Sequence, residues 1–113
     1  MILVKDTGFD IYKFKTVEEA ESYLEAIDIE NNEYEACDEE GYVYEFRLTK
    51  PPTTFGRGEF KILKTSKIDK NLPRFYFLEY GKKFNKSIDE LNSIFENSTS
   101  LLEAFSKLKK RKP

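Results

Sequence analysis

Residues Thr16 to Phe46, TVEEAESYLEAIDIENNEYEACDEEGYVYEF, hold twelve Asp and Glu and no Lys or Arg. Thr16 has the character of a helix N-cap, and Glu19 three residues on completes a capping box. Val17, Ala20, Tyr23, Leu24 and Ile27 then recur at helical spacing, which predicts a helix over 17–27 with one buried stripe. Glu18, Glu21 and Glu25 fall on its other side, and Glu18 and Glu19 complement the positive end of the helix dipole. Asn31-Asn32 predicts a turn. Glu33–Cys37 and Tyr42–Leu48 then read as a hairpin joined by Asp38-Glu39-Glu40-Gly41, with Gly41 supplying positive φ. Tyr42, Tyr44, Phe46 and Leu48 share one face and Val43, Glu45 and Arg47 the other, the alternation of a sheet packed on one side and wet on the other.

Outward from this stretch, Ile2–Val4 and Phe9–Phe14 are short apolar runs that supply at least one strand, with Thr7-Gly8 as a turn. Pro51-Pro52 ends the hairpin's second strand, and a loop follows through Thr53-Thr54-Phe55-Gly56-Arg57-Gly58. Phe60–Thr65 reads as a strand and 66–73 as a polar loop closed by Pro73. The aromatic run Arg74–Tyr80 reads as a strand, with a helical start as the alternative. Ser87 with Glu90 and Ser100 with Glu103 form two more capping boxes, heading helices with stripes Ile88-Leu91-Ile94-Phe95 and Leu101-Leu102-Phe105-Leu108. The expected architecture is α+β: a mainly antiparallel sheet of four to six strands, one helix before the central hairpin and two short C-terminal helices. No repeat or low-complexity linker divides residues 1–113, so a single domain is expected.

The formal net charge of −2 conceals a split. Residues 16–46 carry −12. Residues 47–113 hold sixteen Lys and Arg against seven Asp and Glu, a balance of +9, and residues 1–15 add +1. Dense like charge opposes the compact state and is commonly offset by something gained in binding. Tyr23, Tyr34, Tyr42 and Tyr44 are interleaved with the acidic block, and tyrosine is enriched at interface hot spots.

Enzyme signatures are sparse. The chain has no histidine, which removes the commonest general base and metal ligand and the usual hydrolytic triad. Gly56-Arg57-Gly58 lacks the spacing and the Lys-Ser/Thr ending of a phosphate loop. Asp38-Glu39-Glu40 does not fit a Ca²⁺ loop and reads as a solvated turn. No carboxylate pair stands out as catalytic, and neither cofactor nor metal is expected. The lone Cys37 cannot form an internal disulfide and is expected to be a buried apolar side chain. No segment approaches a membrane span or a signal peptide, so a cytoplasmic, non-membrane protein is expected. The basic tail, Lys107 to Lys112, complements a helix C-terminus. Together with residues 57–86 it is also the one route to nucleic acid, an unfavourable one beside a −12 block.

The pattern Glu19-Ala20-Glu21, Tyr23-Leu24-Glu25, Ile27-Asp28, Glu33-Tyr34, Ala36, Asp38 and Gly41 resembles one found in small bacterial immunity proteins of polymorphic-toxin and contact-dependent inhibition systems. The resemblance covers roughly the first half of the chain. It implies a non-enzymatic cytoplasmic protein that binds a cognate toxin domain, often a nuclease, and blocks its active site or basic groove. The residues expected to meet the partner, chosen from the acidic block itself, are Glu18, Glu21, Glu25, Asp28, Glu33, Glu35, Asp38, Glu39 and Glu40. A regulatory or adaptor domain docking on a larger basic protein is the alternative.

Overall fold

The computed structural model describes residues 1–108. Strands β1 (Ile2–Lys5), β2 (Ile11–Phe14), β3 (Glu35–Asp38), β4 (Tyr42–Lys50) and β5 (Glu59–Ile68) form one antiparallel sheet in the order β2-β1-β3-β4-β5. The fold is α+β, as the sequence pattern predicts. Because side chains alternate across a strand, the interior strand β1 feeds two cores. Leu3 joins Ile11 and Cys37 on one face of the sheet, and Ile2 and Val4 join Phe14, Ala36 and Ile62 on the other.

The second of these faces is covered by α1 (Val17–Tyr23) and α2 (Ala26–Glu30), which carry the chain from β2 to β3 across β1. The first is covered by α3 (Leu72–Gly81), α4 (Ile88–Glu96) and α5 (Leu101–Leu108), with a single 3-10 turn, Lys82–Phe84, after α3. Tyr76, Phe77, Leu91 and Phe105 are its fully buried centre. The Phe77 and Phe105 rings meet edge to face at 5.3 Å.

Three expectations change. The helix over 17–27 is two helices, because Leu24 and Glu25 adopt extended backbone (ψ 162° and 141°) between them. The break lets Leu24, Ala26 and Ile29 all reach the sheet, and it turns Ile27 outward together with Tyr23. Arg74–Tyr80 lies in a helix, not a strand. Pro73 sits in its first turn, where a fixed φ and a missing N–H are tolerated, and Tyr76, Phe77 and Tyr80 bury one side at helical spacing. Strand β5 runs on to Ile68 through the segment expected to be a loop, paired with Tyr42 across a bulge. Two helices therefore precede the β3–β4 hairpin, and three follow it within residues 1–108.

All three expected N-caps form, but only one of the three expected capping boxes is complete. Thr16 Oγ1 accepts the Glu19 N–H, although Glu19 reaches back to the Lys15 N–H rather than to that of Thr16. Ser87 and Glu90 form the full reciprocal box. Ser100 Oγ accepts the Glu103 N–H, while the Glu103 carboxylate turns to Thr99. Gly41 has φ +96°, and a Cβ there would collide with the Asp69 carbonyl, so the β3–β4 turn requires glycine. Strands β4 and β5, nine and ten residues long, outrun the four-residue strands beside them and carry the turn 51–58 away from the body of the molecule.

Candidate partner-binding surface

The nine carboxylates expected at an interface do not share one surface. Asp38 is buried and spent within the fold: Oδ1 accepts the Glu40 and Tyr42 N–H groups, Oδ2 accepts the Tyr44 O–H, and Lys64 stands 3.7 Å away. Glu21 Oε2 accepts the Ile62 N–H at 2.8 Å, closing part of the free edge of β5. Glu35 pairs with Lys5 at 3.6 Å, and Glu39 with the Met1 amino group at 3.0 Å. Cations outside residues 16–46 thus neutralise part of a block that has none of its own. Glu35 and Glu39 also lie at opposite ends of β3, about 13 Å of extended chain apart. Glu18, Glu25, Glu33 and Glu40 make no ion pair or side-chain hydrogen bond within residues 1–108.

What the fold does bring together is a group of tyrosines with carboxylates around them, on the α1–α2 side of the sheet near its β2 edge. Tyr12 on β2 lies 6.0 Å from the Tyr23 ring and meets Tyr34 edge to face at 6.4 Å, and Tyr23 also packs on Phe14 at 5.6 Å. The Tyr34 hydroxyl donates to Asp28 Oδ2 at 3.2 Å, and the Tyr12 hydroxyl to Asp6 Oδ2 at 3.4 Å. Burial and then the charge of Asp28, with Glu33 contributing less, push the Tyr34 phenol well above its ordinary range. Burial, Asp6 and Asp10 also raise Tyr12. Both phenols stay neutral donors at physiological pH. Lys83 pairs with Asp10 at 2.8 Å, leaving Asp6, Asp28 and Glu33 as the uncompensated charges. Tyr23 is 64% exposed and joins this patch through Tyr12 and Phe14.

No family model, curated protein or solved structure matches this chain.

Of the nine expected residues, Asp28 and Glu33 belong to the tyrosine patch; Asp6, Asp10 and Tyr12 were not foreseen there. Tyr12 and Phe14, two positions apart on one strand, share a face, but segment 1–15, with a net charge of +1, gives no reason to join it to the acidic block. A second feature is a groove of about 670 Å³ between the α1–α2 junction and the turn at 51–58, into which Glu25 and Arg57 both face. Tyr42 and Tyr44 sit elsewhere, bound up with Asp38 and Lys64. On β5, Lys61 and Lys64 fall on opposite faces, so the lysines of that strand do not line up as one stripe. Tail residues 109–113, part of the nucleic-acid reading, lie outside the described residues. Cys37 is fully buried, and burial followed by the charges of Asp38 and Asp69 raises its thiol to about 12. No helix among the described residues is long and apolar enough to cross a membrane, and they contain no cluster of metal-ligating side chains.

Proposed function

We propose that this chain is a non-enzymatic binding protein that covers a basic surface on a partner protein, in the manner of an immunity protein neutralising a cognate toxin. The observation that carries this reading is the tyrosine patch, in which the exposed Tyr23 ring packs on Tyr12 and Phe14 while Asp6 meets Tyr12 and Asp28 and Glu33 lie beside the neighbouring Tyr34. Rigid aromatic anchors contribute most to interface affinity, and surrounding charge steers encounter. Here the anchor is held in place before binding by two ring contacts, so little side-chain freedom remains to be lost. The carboxylates would meet Lys and Arg side chains that otherwise hold phosphates, and none performs chemistry.

Co-expression with the protein encoded immediately upstream, followed by size-exclusion chromatography and a growth assay, tests the proposal. A stable complex and rescue from toxicity are expected. Tyr23→Ala should weaken that complex by about 2 kcal/mol, roughly thirtyfold in Kd, mainly through faster dissociation. Glu33→Lys should slow association and flatten its dependence on salt. A harmless neighbour that forms no complex would overturn the toxin reading, and a complex indifferent to both substitutions would remove this patch from the interface.

A further inference from the structure

We propose that the turn joining β4 and β5, together with the groove beside it, is a self-complementary surface through which two copies of this chain pair about a two-fold axis. Phe55 at the tip is 99% exposed, the most uncovered large apolar side chain among the described residues. Its setting is rigid. Thr53 and Gly56 exchange backbone hydrogen bonds at 2.8 and 3.3 Å, Thr53 Oγ1 accepts the Phe55 N–H, and Pro51-Pro52 stiffens the approach. On the far side Gly58 has φ +80°, and a Cβ there would lie 2.6 Å from the Lys50 carbonyl oxygen, so the two arms of the neck close tightly on each other. The backbone that carries the ring is therefore fixed before it meets anything, and the ring itself is left uncovered as a knob.

The hole lies next to the knob. The groove between the α1–α2 junction and the tip has Leu24, Ile27 and Phe60 in its walls, and Ile27 is 43% exposed. Two opposite charges face into it, Glu25 from the N-cap of α2 and Arg57 from the tip. Neither makes an ion pair within residues 1–108, so they do not satisfy each other inside one chain. Glu21, the third charged residue of the groove, is committed to the Ile62 N–H. An isologous interface needs one patch that complements itself, each feature meeting its counterpart across the axis. A two-fold rotation supplies that here: Phe55 of each copy enters the apolar part of the other's groove, and Arg57 of each meets Glu25 of the other.

Two Phe rings bury about 150–250 Å² each. Even with the flanks of the turn added, the contact falls at the small end of specific interfaces, so a micromolar-range dimer is expected rather than an obligate one. The tyrosine patch contributes no residue to the groove, so each surface can be altered by substitutions that leave the other's residues in place.

Sedimentation velocity over a low- to high-micromolar concentration series tests the pairing on the chain by itself. The wild type should shift from monomer to dimer mass. Phe55→Ala, which removes a side chain with almost no internal contact, should weaken pairing by roughly tenfold or more. Glu25→Lys and Arg57→Glu should each weaken it, and the double exchange E25K/R57E should recover most of the loss. A wild-type monomer across the whole series would overturn the proposal. So would a dimer that survives Phe55→Ala, or a double exchange no better than either single one.

Discussion

Asp38 shows how a single carboxylate is withdrawn from the surface. Its sequence setting, Asp38-Glu39-Glu40, is that of a solvated turn, yet three donors converge on it and it ends up buried beside Cys37. An anion in that position is sustained because three hydrogen bonds and the nearby Lys64 charge offset its desolvation. The same carboxylate helps keep the neighbouring thiol protonated. With its thiol raised to about 12 and no exposed surface, Cys37 should not react with a maleimide or with iodoacetamide in the native state at neutral pH. Mass spectrometry after a timed pulse should find it unmodified, and modified stoichiometrically once urea has unfolded the chain. Rapid native labelling would show that the sheet opens around β3. That Cys37 would be buried was legible from its place in an apolar strand; that Asp38 would be was not, because its donors come from residues up to six positions away and its cation from β5.

Among the elements, the edge of β5 is protected in a way the sequence does not announce. A long edge strand exposes unpaired N–H groups that invite pairing with other chains. Here Glu21, projecting sideways from α1, occupies the Ile62 N–H, and lysines at 61, 64 and 67 discourage the rest. Glu21→Ala should cost about 1–2 kcal/mol, read as a lower urea midpoint with an unchanged m-value, and should raise the tendency to aggregate at high concentration. No change in midpoint would mean that water replaces the carboxylate without loss. The caps of α1 and α4 were readable because they depend on residues three positions apart. The break at Leu24-Glu25 was not, since the stripe Val17 to Ile27 is a good helix by itself and yields only because two shorter helices bury Ala26 and Ile29 as well. Helix α3 was misread for a related reason. Aromatic residues favour strands on a half-buried surface, whereas Tyr76, Phe77 and Tyr80 are needed on one side of a cylinder packed against α4 and α5.

For the molecule as a whole, tyrosines link the two cores to pH. Tyr34 and Tyr76 are raised well above the ordinary value of 10.0, Tyr12 is raised, and Tyr44 is raised to about 12, in each case chiefly by burial. A phenol whose pKa is higher in the folded state stabilises the fold fully below the unfolded value, and that contribution disappears as pH climbs through the folded one. Thermal stability should therefore hold up to about pH 10 and fall between there and pH 12, with the phenolate absorbance of Tyr12, Tyr34, Tyr44 and Tyr76, four of the seven tyrosines, withheld until the near-ultraviolet circular dichroism is lost. Phenolate absorbance reaching the amplitude of all seven tyrosines on an intact fold would contradict this. Sequence alone determined the alternation of β4, the N-caps of the helices, the turn at Gly41 and the concentration of negative charge in 16–46, because each depends on neighbours a few positions apart. Only the tertiary structure decided which carboxylates are used up inside, which tyrosines gather with Asp6 and Asp28, and that Phe55 stands uncovered beside a groove. Those outcomes follow from contacts between strands and helices distant along the chain, where packing and desolvation select among side chains that local pattern leaves equivalent.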